Sequence, residues 1–281
     1  MDDVLSDLGR RLMGRADLHI HSLASDGVSS VAEILDHAEN RAHLDVIAIT
    51  DHERVDAAHA ARAMAEARGL HVQVVVGEEV TTRGGHVVAL YINERIRPWG
   101  SLRSTVRQIH EQGGLAIIAH PLVPYPLCAS AGSIRKLMAD PDPIFHPDGI
   151  EAFNPTTASM RWSRRAPEFI AEMGVAALGA SDAHRAEHVG HALTTFPGSS
   201  AEDVRRSIVE RTTGWEGSTH EWKTQLSTFR RQMGKNAFAV RDEVRGKLLR
   251  DGTGRDLGYP GGRLRPARLD ESRLGAGRKG E

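Results

Sequence analysis

In the stretch ADLHIHSLASDG, residues 16–27, two histidines stand two positions apart and an aspartate follows five residues later. On an extended chain alternate side chains share a face, so His19 and His21 point one way and Leu18 and Ile20 the other. Leu18 and Ile20 can fill a core. Two neighbouring imidazoles need another reason, and a shared divalent transition metal supplies one. The same residue types recur along the chain. TDH carries Asp51 and His52, GEE carries Glu78 and Glu79, and His86 follows RGG. AIIAHP carries His120, and GASDAH carries Asp182 and His184. These are more donors than one ion with about four to six ligands accepts. They suit two or three ions that share a bridging carboxylate.

Each of these groups lies where a strand ends. The predicted strands are 16–20, 46–50, 72–76, 86–92, 115–119, 149–153 and 175–180. Several, such as VIAIT, VQVVV and LAIIA, are continuous apolar runs of the kind buried on both faces of a parallel sheet. Helical patterns alternate with them. SSVAEILDHAEN opens with Ser30 and Glu33 at capping-box spacing. Residues 55–68 run to Gly69, the stripe Leu102, Val106 and Ile109 stops at Gly113, residues 158–173 stop at Gly174, and Ser200 with Asp203 starts another helix. About seven strand–helix units predict an α/β fold closed as a barrel, with its chemistry at the strand-end rim. Only nine residues separate Val76 from His86, too few for a parallel crossover. A hairpin or irregular link is expected there, and a distorted barrel with it.

The chain has 281 residues, 36 Lys and Arg against 37 Asp and Glu, and 15 histidines. A formal charge of -1 gives no bulk attraction to nucleic acid or membrane. The first residues, MDDVLSDLGRRLMG, contain no signal-like apolar run, and the expectation is a cytoplasmic protein. The single cysteine, Cys128, fits a reducing compartment and reads as inert filler with no obvious base beside it. Beyond 215 the pattern changes. Trp222, Leu226, Phe229, Met233, Ala237, Val240 and Val244 fall at helical spacing, so 216–250 reads as an amphipathic helix that packs on the barrel or on a second copy. Residues 251–281, rich in Gly, Arg and Pro, read as a flexible tail.

Taken in order, DLHIHSLASDG, AITDH, VVGEEVTTRGGHVVAL, AIIAHP and GASDAH resemble the motifs of the polymerase and histidinol phosphatase (PHP) superfamily over roughly residues 15–200. The resemblance implies a distorted seven-stranded α/β barrel, with residues 1–215 as the phosphoesterase domain. It implies two or three divalent ions, Mn, Zn or Fe. His19, His21 and Asp182 then match ligands of one ion, with Glu79 bridging. Asp26, His52 and His184 match those of a second, and Glu79, His86 and His120 those of a third. The family pattern selects Glu79 over Glu78. DGIEAFN, with Glu151 and Asn154, also has the family's look.

The activity expected from this resemblance is metal-dependent hydrolysis of phosphate esters on small, nucleotide-like metabolites, by a metal-bridging hydroxide attacking phosphorus in line. Asp51, His184 and Arg185 are the candidates for helping the leaving oxygen and the substrate phosphate. Asp51 also reads as an orienter of a ligand. Arg161, Arg164 and Arg165 are further phosphate candidates, and His188 and His191 read as surface residues. The alternatives are a nuclease for short nucleic acids, a histidinol-phosphate-type phosphatase, and a non-catalytic metal-binding subunit.

Overall fold

Short runs of aliphatic and β-branched residues build a nine-stranded sheet in the computed structural model, which describes residues 13–157 and 163–217. The strands are β1 (Met13–Ile20), β2 (Val46–Ile49), β3 (Gln73–Thr82), β4 (Gly85–Leu90), β5 (Leu115–Ile118), β6 (Gly149–Phe153), β7 (Ala176–Gly179), β8 (Ala192–Pro197) and β9 (Gly214–Gly217). Their order is β7-β6-β5-β4-β3-β2-β1-β8-β9, curled into a nearly closed barrel. The expected seven strands are present. The last two, β8 and β9, are additional, and both run antiparallel to their neighbours. The predicted C-terminal helix and tail lie outside the described residues.

Two departures from simple alternation set up the site. The first is in β1, where the pairing with β2 slips between Asp17 and Ile20. Leu18 packs inside the barrel with Ala16, Val46 and Phe196. Ile20 instead packs outside with Ile34, Leu35 and Ile47. The expected shared face of Leu18 and Ile20 is therefore absent, because an irregularity of this kind re-aims the side chains that follow it.

The second is the hairpin of β3 and β4. β3 runs to Thr82, so Glu78 and Glu79 lie within the strand and not past its end. Glu79 pairs with Val88 and Thr81 with His86. Because β4 is antiparallel to β3, its first residues stand at the rim where the parallel strands finish. This is how His86, at a strand start, joins donors from strand ends.

Among the described residues six α-helices surround the barrel: α1 (Val31–His37), α2 (Asp56–Arg68), α3 (Leu102–Glu111), α4 (Ala131–Met138), α5 (Ala166–Met173) and α6 (Ala201–Glu210). Ser30 and Glu33 form the predicted capping box on α1, which continues into a π-helical turn over Ala38–Ala42. Residues 158–162 of the predicted helix 158–173 lie outside the described residues. Val204 and Ile208 of α6 join the barrel interior. No helix among the described residues is long and apolar enough to cross a membrane.

Phe196 is fully buried in that interior, and a Cβ on Gly14 would come within 2.5 Å of its ring. Phe196→Ala is expected to destabilise the protein by about 3–5 kcal/mol, from lost burial and the cavity left behind. Urea unfolding would read this as a lower midpoint at an unchanged slope.

Candidate metal centre

At the rim, Glu79 occupies the middle of a ring of imidazoles. Its Oε2 lies 3.3 Å from His19 Nε2, 3.2 Å from His21 Nε2 and 3.3 Å from His52 Nε2. Its Oε1 lies 2.8 Å from His86 Nδ1 and 3.1 Å from His120 Nε2. One carboxylate thus divides five histidines into two sets, one on each oxygen. Asp182 Oδ1 stands 3.3 Å from His21 Nε2 and 3.7 Å from His19 Nε2. Asp26 stands 3.3 Å from His21 Nδ1 and 3.1 Å from His184 Nε2.

All nine predicted donors therefore meet at one place. The compact groups are His19–His21–Glu79, His21–Asp182–His184, His21–Asp26–His52 and His52–Glu79–His86, the donor atoms of each within 4.8 Å of one another. His21 belongs to three of these and stands between donor sets that the sequence assigned to separate ions. His184 neighbours both Asp26 and Asp182.

The electrostatics follow from burial and proximity. Burial works against a charge on His19, yet Glu79, Asp182 and Glu151 hold its pKa well above the ordinary value. Asp26, Asp182 and Glu79 do the same for His21, against the same burial. His120 is likewise raised against burial, by Cys128 and Glu79. Burial alone would raise Glu79, Asp26 and Asp182, but the surrounding imidazoles hold all three carboxyls below their usual range. His52 is the exception. Burial outweighs the pull of Glu79 and brings it down to about 4.

This donor set fits divalent transition ions. It mixes imidazole nitrogen with carboxylate oxygen in a buried cluster. One of its nitrogens, His52 Nδ1, is buried without a hydrogen-bond partner, a costly state in the absence of a ligand.

The barrel seam closes around these donors. His21 N–H donates to Ala183 O at 2.8 Å, and Val28 N–H donates to His184 O at 2.8 Å. Asp17, fully buried, accepts from Ser181 N–H at 3.0 Å and Gly190 N–H at 2.8 Å. Its desolvation pushes the carboxyl up to about 6.

Two comparisons identify the family. The PHP domain model matches residues 17–117, and the PHP-associated model matches residues 161–213. An uncharacterised protein of Methanocaldococcus jannaschii is 35% identical over 153 residues, 50% of this chain and 81% of that relative. The chain belongs to the PHP family. Solved PHP-like structures share the fold. A two-domain protein of Bacteroides vulgatus, with a domain assigned by prediction as a PHP-like metal-dependent phosphoesterase, aligns with a TM-score of 0.59 at 19% identity. That alignment covers 78% of this chain and 70% of that one. A proposed metal-dependent phosphoesterase of Bifidobacterium adolescentis aligns with a TM-score of 0.54 at 16% identity, covering 70% and 96%.

In this PHP chain two predicted catalytic residues stand elsewhere. Asp51 is buried, and its oxygens accept from Ser22 N–H at 2.8 Å, Ser22 Oγ–H at 2.6 Å and Ser25 Oγ–H at 2.5 Å. It shapes the turn that leads into Asp26 and offers no oxygen to the imidazoles. Arg185 is half-exposed, and its Nε–H donates to Glu187 at 2.5 Å, turned away to a surface ion pair. Arg185→Ala should change stability by less than about 1 kcal/mol and leave turnover unaltered, as melting and rate measurements would show. Arg164 and Arg165 are exposed, and Arg161 lies outside the described residues.

One partner was missed, and another, Glu151, was singled out in the sequence without a role. Cys128 Sγ stands 3.4 Å from His120 Nδ1, so the thiol does have a base beside it. Glu151, on the interior of β6, bonds His19. The signal for Glu151 was available, since a glutamate inside the apolar run GIEAF must be paired if buried.

Proposed function

We propose that this PHP protein is a metal-dependent phosphoester hydrolase acting on small, nucleotide-like phosphorylated metabolites. The observation that carries the reading is the division of five histidines between the two oxygens of Glu79. A carboxylate so placed can serve two ions at once. Bound divalent ions supply Lewis-acid polarisation of a phosphoryl group and an activated nucleophile at neutral pH.

The chain's own residues supply the positioning. Asp26 and His184 approach one flank of His21, and His86 and His120 stand on the far side of Glu79. The donor set, imidazoles and carboxylates around Glu79, suits an activated water as the attacking group, with no covalent intermediate on the protein. Cytoplasmic location accords with the reading.

The test is orthophosphate release by Mn-reconstituted protein, run beside His52→Ala. The panel is a nucleoside bisphosphate, histidinol phosphate and a short oligonucleotide. Release from the nucleoside bisphosphate by wild type alone supports the proposal. Preference for one of the other two substrates replaces the substrate class, and equal release by His52→Ala removes the assigned centre.

A further inference from the structure

Between β5 and β7, strand β6 contributes none of the nine donors, yet two buried polar side chains stand at its rim end, Glu151 within the strand and Asn154 just after it. Glu151 Oε1 accepts from His19 Nδ1–H at 2.7 Å. Its Oε2 accepts from the backbone N–H of His120 at 2.7 Å and from Asn154 Nδ2 at 2.9 Å. Asn154 Nδ2 also reaches Asp182 Oδ2 at 3.4 Å, and the Thr156 hydroxyl lies 3.2 Å from the same oxygen.

Two residues this network reaches, His120 through its backbone N–H and Asp182 through its carboxylate, have positive φ. His120 has φ +27° and Asp182 has φ +50°. Such conformations cost on the order of 1–3 kcal/mol in a residue other than glycine and persist only where the surroundings enforce them. Glu151 thus fixes the ring of a histidine on one oxygen of Glu79 and the backbone of a histidine on the other.

We propose that Glu151 is a positioning residue that locks the two halves of the centre to one another, with Asn154 extending the lock to Asp182. This rests on the metal reading above. It assigns to Glu151 no contact with ion or substrate. One Glu151 oxygen orients His19 so that Nε2 faces the cluster, and the other sets the angle at which His120 enters it. A glutamine cannot do both, because whichever way its amide turns, an N–H₂ meets one of the two N–H donors.

The experiment is stepwise Mn²⁺ titration of chelator-stripped full-length protein against an indicator dye, with melting recorded in chelator. Wild type, Glu151→Gln, Glu151→Asp and Asn154→Ala are compared. Glu151→Gln is expected to weaken every resolved Mn²⁺ step about 10- to 100-fold, while melting without metal stays close to wild type. Glu151→Asp, which keeps the charge but shortens the reach, should lose affinity similarly.

Affinity within twofold of wild type for Glu151→Gln, weakening of one step only, or full rescue by Asp each overturns the inference. If Glu151→Gln fails to fold, Asn154→Ala decides. A loss of about tenfold supports the lock and no loss removes it. Wild type that takes up no Mn²⁺ overturns the metal reading and this inference together. Binding by wild type with unchanged variants overturns this inference alone.

Discussion

Glu79→Gln is expected to abolish metal-dependent hydrolysis, by at least about 10³-fold, while Glu78→Gln leaves it intact. The two neighbours occupy opposite environments. Glu79 faces five imidazoles, which hold its carboxylate charged against its burial. The isosteric amide removes that charge and turns an N–H₂ toward one of the two histidine sets, so Glu79 can no longer serve ions on both sides. Losing several kcal/mol of charge stabilisation corresponds to roughly three powers of ten in rate. Glu78 is just as buried, but only its Oε2 is bonded, by Ile96 N–H at 2.8 Å, and Oε1 has no partner. Desolvation pushes its carboxyl up to about 8, so it is mostly neutral at pH 7 already. A neutral amide there changes little. Metal content and phosphate release, measured for both variants, check the pair. Turnover surviving in Glu79→Gln, or lost equally in Glu78→Gln, would refute the assignment.

Metal uptake is expected to expel protons. His19, His21 and His120 are all held above the ordinary histidine value in the metal-free centre by the carboxylates around them, and the 3.1 Å approach of His19 Nε2 to His21 Nε2 leaves room for one shared proton between those two nitrogens, so ligand nitrogens must give up protons at pH 7. Glu79, Asp26 and Asp182 are already ionised, and His52, at about 4, is already neutral. The sign follows. Below the raised pKa values, each proton displaced makes apparent affinity rise by one power of ten per pH unit. Roughly one or two protons should leave when the centre fills. Calorimetric titration of Mn²⁺ in two buffers of different ionisation heat counts them directly. Zero protons released between pH 6 and 7.5 would mean that the imidazoles are neutral without metal.

The strand-end donors were legible because a donor recurring at the close of each apolar run needs only local pattern to be seen. Other features depend on partners distant in sequence, and local pattern is silent about those. The displacement of Ile20 to the outer face comes from a slip against β2. The length of β3 comes from pairing with β4, which draws Glu78 and Glu79 into the strand. Asp51 had the composition of a catalytic acid, and only the folded turn gives its oxygens to Ser22 and Ser25. Arg185 adjoins His184 in sequence, yet its side chain leaves the cluster for Glu187. Cys128 and His120, eight residues apart, are brought together by a loop in which His120, Leu122 and Leu127 all have positive φ. Nothing in those residue types announces such a turn.

The seam that seals the barrel joins Asp17 to Ser181, 164 positions apart. During synthesis the chain emerges with its amino terminus first. His19, His21, Asp26, His52, Glu79, His86 and His120 are all made before Asp182 and His184 exist. At roughly 5–20 residues per second, about 5 to 20 s pass between Glu79 and Asp182. At the start of that interval three of the six imidazoles exist, His86 and His120 are added within it, and the closing wall is still missing. The centre is therefore complete only after the last of its donors has been made and the seam between Asp17 and Ser181 has closed.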